Sequence, residues 1–424
     1  MPSPQIASEL HIKPSAKDYG DSGPVQVSFP FYIGKQTQNW IPALESLGIP
    51  RNDHSLGGNN VGASGQPPII DPATSKRSYS VSAYLSPNLG RPNLKVLTGA
   101  LVDHIEFSSA SSDEAAHTAT GVVFQDKSGA SYTLKAKREV ILSAGTVFTP
   151  AILERSGIGA KQVLERAGVQ RQLVDLPGVG ENMQVHTFAS MSGQLQEGNI
   201  TLDSLRNDPA FAEKQQELYA KNSQNPGSLL TEGVPTVAYI SLEELVGKDE
   251  CKKLVSDAEQ YVAKCDKPYK PTLEKQLEWL QKYPDHIAQM ELIGVDGFFA
   301  TNGAPEPGKN YMTLLAAQQH LFSRGSVHIA STDVAAHPKI DAGYFTAPWD
   351  LAVATAGTKF LRKIAGTKQY ASYIDKEVVP GTASSSDEDL KQYTRTIGTT
   401  TEYHHLGSAS MLPREHGGVV DADL

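Results

Sequence analysis

The sequence contains little cysteine, no long apolar run and no excess of basic residues. Only Cys251 and Cys265 occur in 424 residues, and the stretch that joins them is typical of one charged amphipathic helix. We therefore expect two free or structural thiols instead of a disulfide framework. No apolar run approaches the ~20 residues that span a bilayer. The formal net charge of −9 opposes nonspecific phosphate binding, which needs clustered lysine and arginine. We expect no membrane span and no nucleic-acid partner.

The composition is that of a globular protein. With 39% hydrophobic and 20% charged residues, the chain is long enough to form two domains with substantial cores. The first twenty residues lack the apolar core of a signal peptide. Asn199-Ile200-Thr201 is an N-glycosylation sequon, but such triplets are common by chance. The compartment therefore stays open, because a preceding segment could carry a secretion signal.

The hydrophobic pattern predicts a mixed α/β chain. Strands are predicted over residues 23–32 and in LKVLTGALVDHIEF, GVVFQD and SYTLKAKREVILSAG, and helices in NWIPALESLGIP, SYSVSAYLSP and residues 150–167. From about residue 190 to 285 the pattern is helical and charged, and it then becomes strand-like in MELIGVDGFFA, YMTLLAAQQ and GSVHIAS. A long helix is predicted in DLAVATAGTKFLRKIAG, and a capping box of Ser385 and Glu388 predicts another.

Residues 139–159, EVILSAGTVFTPAILERSGIG, form a predicted strand-turn-helix unit. The apolar run Val140-Ile141-Leu142 suits a buried strand, and Gly145 permits a tight turn where a backbone or a ligand approaches closely. Thr149 is a good N-cap residue, and Pro150 is favoured at the first helical position. On these features alone the unit could equally be an ordinary structural corner.

The same unit resembles the second signature of the glucose-methanol-choline (GMC) oxidoreductase family. It matches at ten positions, which are Gly145, Thr146, Thr149, Pro150, Ile152, Leu153, Ser156, Gly157, Ile158 and Gly159. Other family-like stretches follow in the expected order, namely RSYSVSAYLSP, RPNLKVLTGALVDHIEF, LPGVGENMQVH, SRGSVHIASTDVAAHPKIDAGYF and TEYHHLGSASMLPREHGGVVDADL. The chain is most similar to fungal glucose-oxidase-like and aryl-alcohol-oxidase-like members.

The resemblance implies an α/β fold, α+β overall. It implies a doubly wound FAD-binding domain, here lacking its N-terminal βαβ unit, and a substrate domain with an antiparallel sheet and covering helices. The implied division is a linking and substrate-side segment (1–70), the remaining part of the FAD-binding domain (71–190), the substrate-binding domain (191–403) and the start of a C-terminal return to the FAD domain (404–424).

The resemblance also implies which residues meet FAD. Val102 corresponds to the residue whose backbone contacts the adenine, although it could also be a plain strand residue, and both can hold at once. Ala144 and Gly145 correspond to the turn beside the adenosine. Asn182 is a weaker cofactor candidate, because the family often has Asp where this chain has Val185.

A glycine-rich pyrophosphate loop of the form G-x-G-x-x-G is not found. Gly157 with Gly159, and Gly178 with Gly180, imitate its opening without completing the pattern, so we interpret them as turn glycines. The family's early segment and first signature are also absent, and the chain stops before the family's second catalytic position. We therefore expect a chain that is truncated at both ends.

The segment Tyr403–Met411 is similar to the family's block around the active-site histidine. This alignment places the family's catalytic base on His404 and puts His405 on a variable position. Histidine suits the role of a base because its pKa lies near the working pH. Without a nearby cysteine or carboxylate at ligand spacing, the two histidines do not predict a metal site. The resemblance implies an FAD-dependent enzyme that oxidises the CH–OH group of a small-molecule alcohol. The alternatives are an FAD-containing hydroxynitrile-lyase-like enzyme and an inactive fragment unable to bind FAD.

Overall fold

The computed structural model describes residues 1–108, 117–221, 227–381 and 383–424. The strands in this part of the chain are β1 (Gly62–Gly65), β2 (Ile70–Asp71), β3 (Lys76–Arg77), β4 (Leu101–Phe107), β5 (Ala119–Gln125), β6 (Ser131–Lys135), β7 (Ile158–Gly159), β8 (Val174–Asp175), β9 (Gln184–Leu195), β10 (Thr236–Ser241), β11 (Ala288–Val295), β12 (Tyr311–Gln318), β13 (Ser326–His328), β14 (Lys339–Asp341), β15 (Ile374–Val379) and β16 (Thr399–Leu406).

The helices are α1 (Pro4–Glu9), α2 (Lys35–Gln38), α3 (Trp40–Ser46), α4 (Gly145–Arg155), α5 (Lys161–Ala167), α6 (Ser204–Asn207), α7 (Pro209–Ala220), α8 (Leu242–Val246), α9 (Lys248–Ala263), α10 (Lys270–Lys282), α11 (Pro348–Ala365) and α12 (Asp387–Thr396). A π-helical turn covers Val81–Leu85. Among the described helices, none is long and apolar enough to cross a membrane.

The main sheet is antiparallel and holds most of the core. Its strands follow the order β1-β10-β11-β12-β9-β15, and β16 also pairs with β9. The central strand β12 is buried at every position, because both faces of the sheet are covered and the usual alternation of buried and exposed residues is lost. Buried hydroxyls within the sheet satisfy each other, as in the 3.1 Å contact between Ser192 Oγ and Thr313 Oγ1. This sheet confirms the expected antiparallel substrate-side architecture.

Helix α11 packs across the centre of this sheet. Its buried face includes Trp349, Val353, Phe360 and Leu361. Gly357 lies where the helix comes nearest to the strands, since a Cβ there would stand 2.8 Å from Met290 Cε and 3.1 Å from Ala316 Cβ. The missing side chain therefore allows the close approach of helix and sheet.

A smaller antiparallel sheet, β4-β5-β6, lies beside α4. The end of α4 is attached to β4 through Ser156 Oγ, which accepts the Ile105 amide at 2.8 Å, and through Arg155 Nε, which donates to the Asp103 carbonyl at 2.8 Å. The strand prediction around Val102 is therefore confirmed. Both cysteines are free thiols, which confirms that expectation as well.

Three strand predictions are wrong. Residues 23–32 contain Pro24 and Pro30, which have no amide to donate to a ladder. The Gln26 amide donates instead to the Ser78 hydroxyl, and the Ser28 amide to the Pro68 carbonyl. Residues 94–98 and 139–144 are irregular. Both segments were predicted as strands because they are apolar, and residues 140–142 as a buried one, yet Leu97 is 66% and Ile141 77% exposed. No neighbouring strand pairs with either segment in the described part of the chain.

Two helix starts also differ from the predictions. Helix α4 begins at Gly145, so Pro150 lies inside it and Thr149 is no N-cap. The capping box before α12 is formed by Ser386 and Asp389, one residue later than the predicted pair of Ser385 and Glu388. The expected boundaries at residues 70, 190 and 403 stay a prediction.

Candidate active site

The start of α4 and the segment after β16 are joined by two hydrogen bonds. Thr146 Oγ1 donates to the His405 carbonyl at 2.9 Å, and Ser408 Oγ donates to the Thr146 carbonyl at 2.6 Å. Pro150 has no amide, so the Thr146 carbonyl four residues earlier has no donor within the helix. Ser408 supplies that donor. The two family-like blocks, far apart in sequence, therefore form one structural unit.

Asn182 is hydrogen-bonded to the loop that follows His404. Its side chain is buried, donates to Ser410 Oγ at 3.0 Å and accepts from Arg324 Nε at 2.9 Å. Its backbone has a positive φ of 60°, which asparagine tolerates better than most residues. The side chain is therefore committed to holding the loop, and its predicted part in cofactor binding stays a prediction.

The predicted adenosine-side residues lie at an open surface. Val102 is half-buried on β4, and Ala144 and Gly145 begin α4 without a side-chain cap. A Cβ at Gly145 would meet nothing within 4 Å, and Phe148 in the next turn is 42% exposed. Helix-start amides that no side chain caps, beside exposed apolar side chains, suit a ligand that has both polar and flat apolar parts.

The four glycines that imitate a pyrophosphate loop are explained by contacts within the protein. A Cβ at Gly157 would overlap the Arg171 carbonyl oxygen, one at Gly178 that of Gly417, and one at Gly180 that of Val327. Gly159 packs on the side chain of Glu154. Contacts within the protein therefore account for these glycines. Gly157, Gly178 and Gly180 lie in turns, as interpreted, whereas Gly159 lies in strand β7, so the turn interpretation is wrong for that residue.

A β-bulge brings His404 next to two groups that the sequence did not single out. The pairing of β16 with β9 shifts between Thr401 and His405, and Tyr403 has a positive φ of 63°. Extra residues in one strand re-aim the side chains around them. Glu402 Oε2 consequently lies 3.5 Å from His404 Nδ1 and 3.8 Å from His186 Nδ1 on β9.

The three groups differ strongly in exposure. The His404 side chain is 61% exposed and that of Glu402 only 12%. Burial, with a contribution from the nearby Glu291 carboxylate, raises the pKa of Glu402 to about 7. Burial also lowers the pKa of His186 to about 4, so the His186 imidazole is neutral near pH 7.

Glu291 is held by two neutral donors. The Tyr239 hydroxyl donates to its Oε1 at 2.9 Å, and Gln319 Nε2 donates to its Oε2 at 3.1 Å. Burial raises its pKa. Two carboxyl groups therefore face the histidines, one bound to donors and the other, Glu402, without a hydrogen-bond donor on its Oε2.

A cavity of about 540 Å³ lies beside this group. Its walls include His186, Trp279, Gln319, His320, Arg324 and Leu406. Trp279 and His320 meet edge to face with ring centroids 5.8 Å apart, and burial lowers the pKa of His320. Arg324 is occupied by neutral acceptors, including the Leu321 carbonyl at 2.6 Å and Gln276 Oε1 at 2.9 Å. Lys275 is the second cation of the wall, and its Nζ donates to Glu278 Oε2 at 2.7 Å. The wall is thus aromatic and polar, and both of its cations already have partners in the protein.

Sequence reasoning found His404 but missed Glu402 and His186. Glu402 lies two residues before His404, a spacing that places both side chains on one face of a regular strand, so the statement that no carboxylate is near was wrong. His186 comes from a distant strand, and no local pattern pointed to it. His405 is exposed and does not belong to the group formed by His186, Glu402 and His404.

Comparison with known proteins identifies the family. Residues 5–188 match the N-terminal and residues 322–424 the C-terminal model of GMC oxidoreductases. The chain is 30% identical over 425 residues to a GMC oxidoreductase family protein, Mala s 12 of Malassezia sympodialis, covering 100% of the chain and 64% of that protein. It is 31% identical over 439 residues to a dehydrogenase of Monascus purpureus, covering 97% of the chain and 68% of that protein.

Solved structures agree with this result. A fungal aryl-alcohol oxidase superposes with a TM-score of 0.84 at 26% identity, over 100% of the chain and 70% of that structure. An FAD-dependent oxidoreductase from Chaetomium thermophilum superposes with a TM-score of 0.86 at 25% identity, over 99% of the chain and 70% of that structure.

The fold is that of FAD-dependent oxidoreductases. The chain belongs to the GMC oxidoreductase family, which confirms the predicted resemblance. It spans 64 to 65% of the length of the first three curated relatives that it matches.

Proposed function

We propose that this protein is an FAD-dependent oxidoreductase that acts on the CH–OH group of a small-molecule alcohol, with His404 as the base. The observation that carries the proposal is the placement of His404. Its exposed imidazole lies at a β-bulge, with its ring centroid 5.9 Å from that of His186, and His186 lines a cavity of about 540 Å³. The chain belongs to a family whose relatives include an aryl-alcohol oxidase.

The described residues fit the adenosine end of FAD. The backbone of Val102 and the open turn at Ala144 and Gly145 would hold it, and the uncapped amides at the start of α4 favour electron-rich groups of a ligand. The glycine turns at Gly157 and Gly178 are closed by protein atoms and are given no part in binding. When bound, FAD supplies the acceptor for the hydride of the alcohol carbon.

His404 handles the proton in this proposal. Loss of a hydride leaves a protonated carbonyl unless the hydroxyl proton leaves as well, so a base has to lie next to the alcohol. Nδ1 of His404 faces Glu402 at 3.5 Å, which leaves Nε2 as the atom that accepts the hydroxyl proton. Asn182, Ser408 and Ser410 position the segment that follows His404.

The cavity indicates an uncharged substrate with an apolar body. Trp279 provides a flat apolar surface, while His186, Gln319 and His320 provide neutral polar groups. Pockets of this kind bind by apolar contact and are oriented by a few hydrogen bonds. We therefore propose a neutral alcohol as the substrate class.

The test is flavin reduction in the FAD-loaded protein without oxygen. His404→Ala is expected to slow reduction by an alcohol on the order of 10²–10⁴-fold, the usual contribution of a positioned base. His405→Ala is the matched control, because His405 is an exposed neighbouring histidine outside the group of His186, Glu402 and His404, and we expect an unchanged rate. Equal rates for wild type and His404→Ala would contradict the assignment.

A further inference from the structure

Two buried ligand atoms face each other in the site without hydrogen-bond partners. Glu402 Oε2 and His186 Nδ1 are both buried and unpartnered, and they lie 3.8 Å apart. His404 Nδ1 is the third member of the group, and all three atoms lie within 4.8 Å of one another. Unpartnered buried polar atoms are costly and call for a ligand that satisfies them.

The separations suit a shared cation better than hydrogen bonds. A nitrogen–oxygen hydrogen bond is about 2.7–3.2 Å long, which is shorter than the 3.5 and 3.8 Å found here. Two ligands of one tetrahedral zinc ion, each about 2.0–2.2 Å from it, stand roughly 3.3–3.6 Å apart. The exposed His404 side chain is free to close the remaining gap.

The surroundings of the group agree with this. The side chains of His186 and Glu402 are only 22% and 12% exposed, so the group is closed towards the protein. The His404 side chain is 61% exposed, so the group is open on one side. The carboxylate of Glu291 adds negative charge nearby.

We propose that His186, Glu402 and His404 bind one divalent transition-metal cation of the zinc type. Two imidazoles and one carboxylate are a known zinc ligand set, and an open fourth position would face the cavity. A cation on His404 Nδ1 leaves the ring proton on Nε2, which then has no lone pair for a hydroxyl proton. Cation binding therefore inhibits alcohol oxidation, a second part that rests on the proposed function.

The first part is tested by titrating the purified full chain with Zn²⁺ in a calorimeter. We expect one equivalent to bind, and Glu402→Gln and His186→Gln each to weaken binding on the order of a hundredfold. His405→Ala is the control, because it removes a neighbouring exposed imidazole outside the group, and it should bind as the wild type does. Circular dichroism confirms that each variant is folded.

Three results would overturn the metal site. They are no zinc binding by the wild type, undiminished binding by the folded Glu402→Gln and His186→Gln variants, or an equally large loss in His405→Ala. If His186→Gln does not fold, the zinc affinity of Glu402→Gln decides whether the metal site exists. That variant is expected to fold, because Gln differs little in size from Glu.

The second part is tested on the FAD-loaded protein. One equivalent of Zn²⁺ should slow flavin reduction by alcohol, and a chelator should restore the rate. Zinc that binds in the calorimeter without slowing reduction would overturn the inhibition. If alcohol does not reduce the flavin of the zinc-free protein, the proposed function is contradicted. The metal site is then still tested by the calorimetric titration alone.

Discussion

His328 is clamped between two carboxylates at the base of the site. Its Nδ1 lies 2.6 Å from Glu154 Oε1 and its Nε2 3.1 Å from Glu181 Oε1, while Glu154 Oε2 also accepts the Ile329 amide at 2.8 Å. Burial alone would lower the pKa of His328, but the two carboxylates raise it to about 9. The charged imidazole thus links α4, the loop after β8 and β13.

This clamp predicts a pH-dependent stability. Because the folded pKa lies above the unfolded value of about 6.5, the stabilisation is fully present below that pH and is lost as pH rises through about 9. Urea unfolding of the wild type should show a lower free energy of unfolding at pH 9.5 than at pH 6. His328→Gln should show a smaller drop.

His337→Gln controls for the general effect of removing a histidine, because His337 is exposed. If His328→Gln and the wild type lost the same free energy of unfolding over this range, the charged state of His328 in the folded protein would be disproved.

A second residue-scale device is the buried carboxyl pair of Glu232 and Asp296. Glu232 Oε1 accepts the Gly34 amide at 2.6 Å, and Thr37 Oγ1 donates to Asp296 Oδ2 at 3.2 Å. Burial raises the pKa of both groups, and repulsion by Asp296 raises that of Glu232 further. The pair is stable when it holds a proton.

The pair predicts that stability falls as pH rises above the unfolded carboxyl pKa of about 4. Glu232→Gln mimics the protonated acid and should flatten this fall, giving a free energy of unfolding at pH 8 equal to or above that of the wild type. Glu45→Gln, at an exposed position, should leave the slope unchanged. A steeper slope in Glu232→Gln would contradict the raised pKa.

At the scale of elements, helix α4 depends on a partner distant in the sequence. Ser408→Ala would leave the Thr146 carbonyl without a donor, because Pro150 cannot supply one. We expect a loss of about 1–3 kcal/mol in the free energy of unfolding, typical of an unsatisfied buried group.

Pro150→Ala offers a matched test, since it restores a helical amide to the Thr146 carbonyl. In a double-mutant cycle measured by urea unfolding, Ser408→Ala should cost less in the Pro150→Ala background than in the wild type. Equal costs in both backgrounds would show that the Ser408 hydrogen bond does not compensate for the proline.

Helix α4 shows what a sequence can and cannot predict. The Thr149-Pro150 pair is typical of a helix start, but the interior proline is tolerated because of Ser408, which no local pattern includes.

Strands β11 and β12 and helix α11 were predicted correctly because their apolar periodicity is long. Residues 94–98 and 139–144 were wrongly predicted as strands, because an apolar run reveals burial preference but not whether a partner strand lies beside it.

The candidate site also contains one residue that a local sequence pattern predicts and others that depend on distant contacts. His404 could be predicted, because a block of nine residues around it resembles the family. The spacing of Glu402 and His404 could have indicated that they are neighbours. Their grouping with His186 could not be predicted, because it depends on how β16 pairs with β9 around the bulge, and bulges leave no reliable trace in one sequence.

At the scale of the whole molecule, strands β9 and β16 of the antiparallel sheet and helix α10 line the cavity. The strands that carry His186 and His404 pair within this sheet, and the hydrogen bonds of Thr146 and Ser408 attach the predicted FAD-side turn to the same strand region. We therefore propose that the reaction takes place where the predicted FAD-side turn meets the strands that carry His186 and His404. The alcohol would lie there between His404 and the flavin.

The absorption spectrum of the FAD-loaded protein, recorded without oxygen before and after addition of a neutral alcohol, tests this most directly. If the protein oxidises alcohols as proposed, the oxidised flavin band disappears while one equivalent of carbonyl product forms. A flavin band that stays unchanged with every neutral alcohol tried would contradict it.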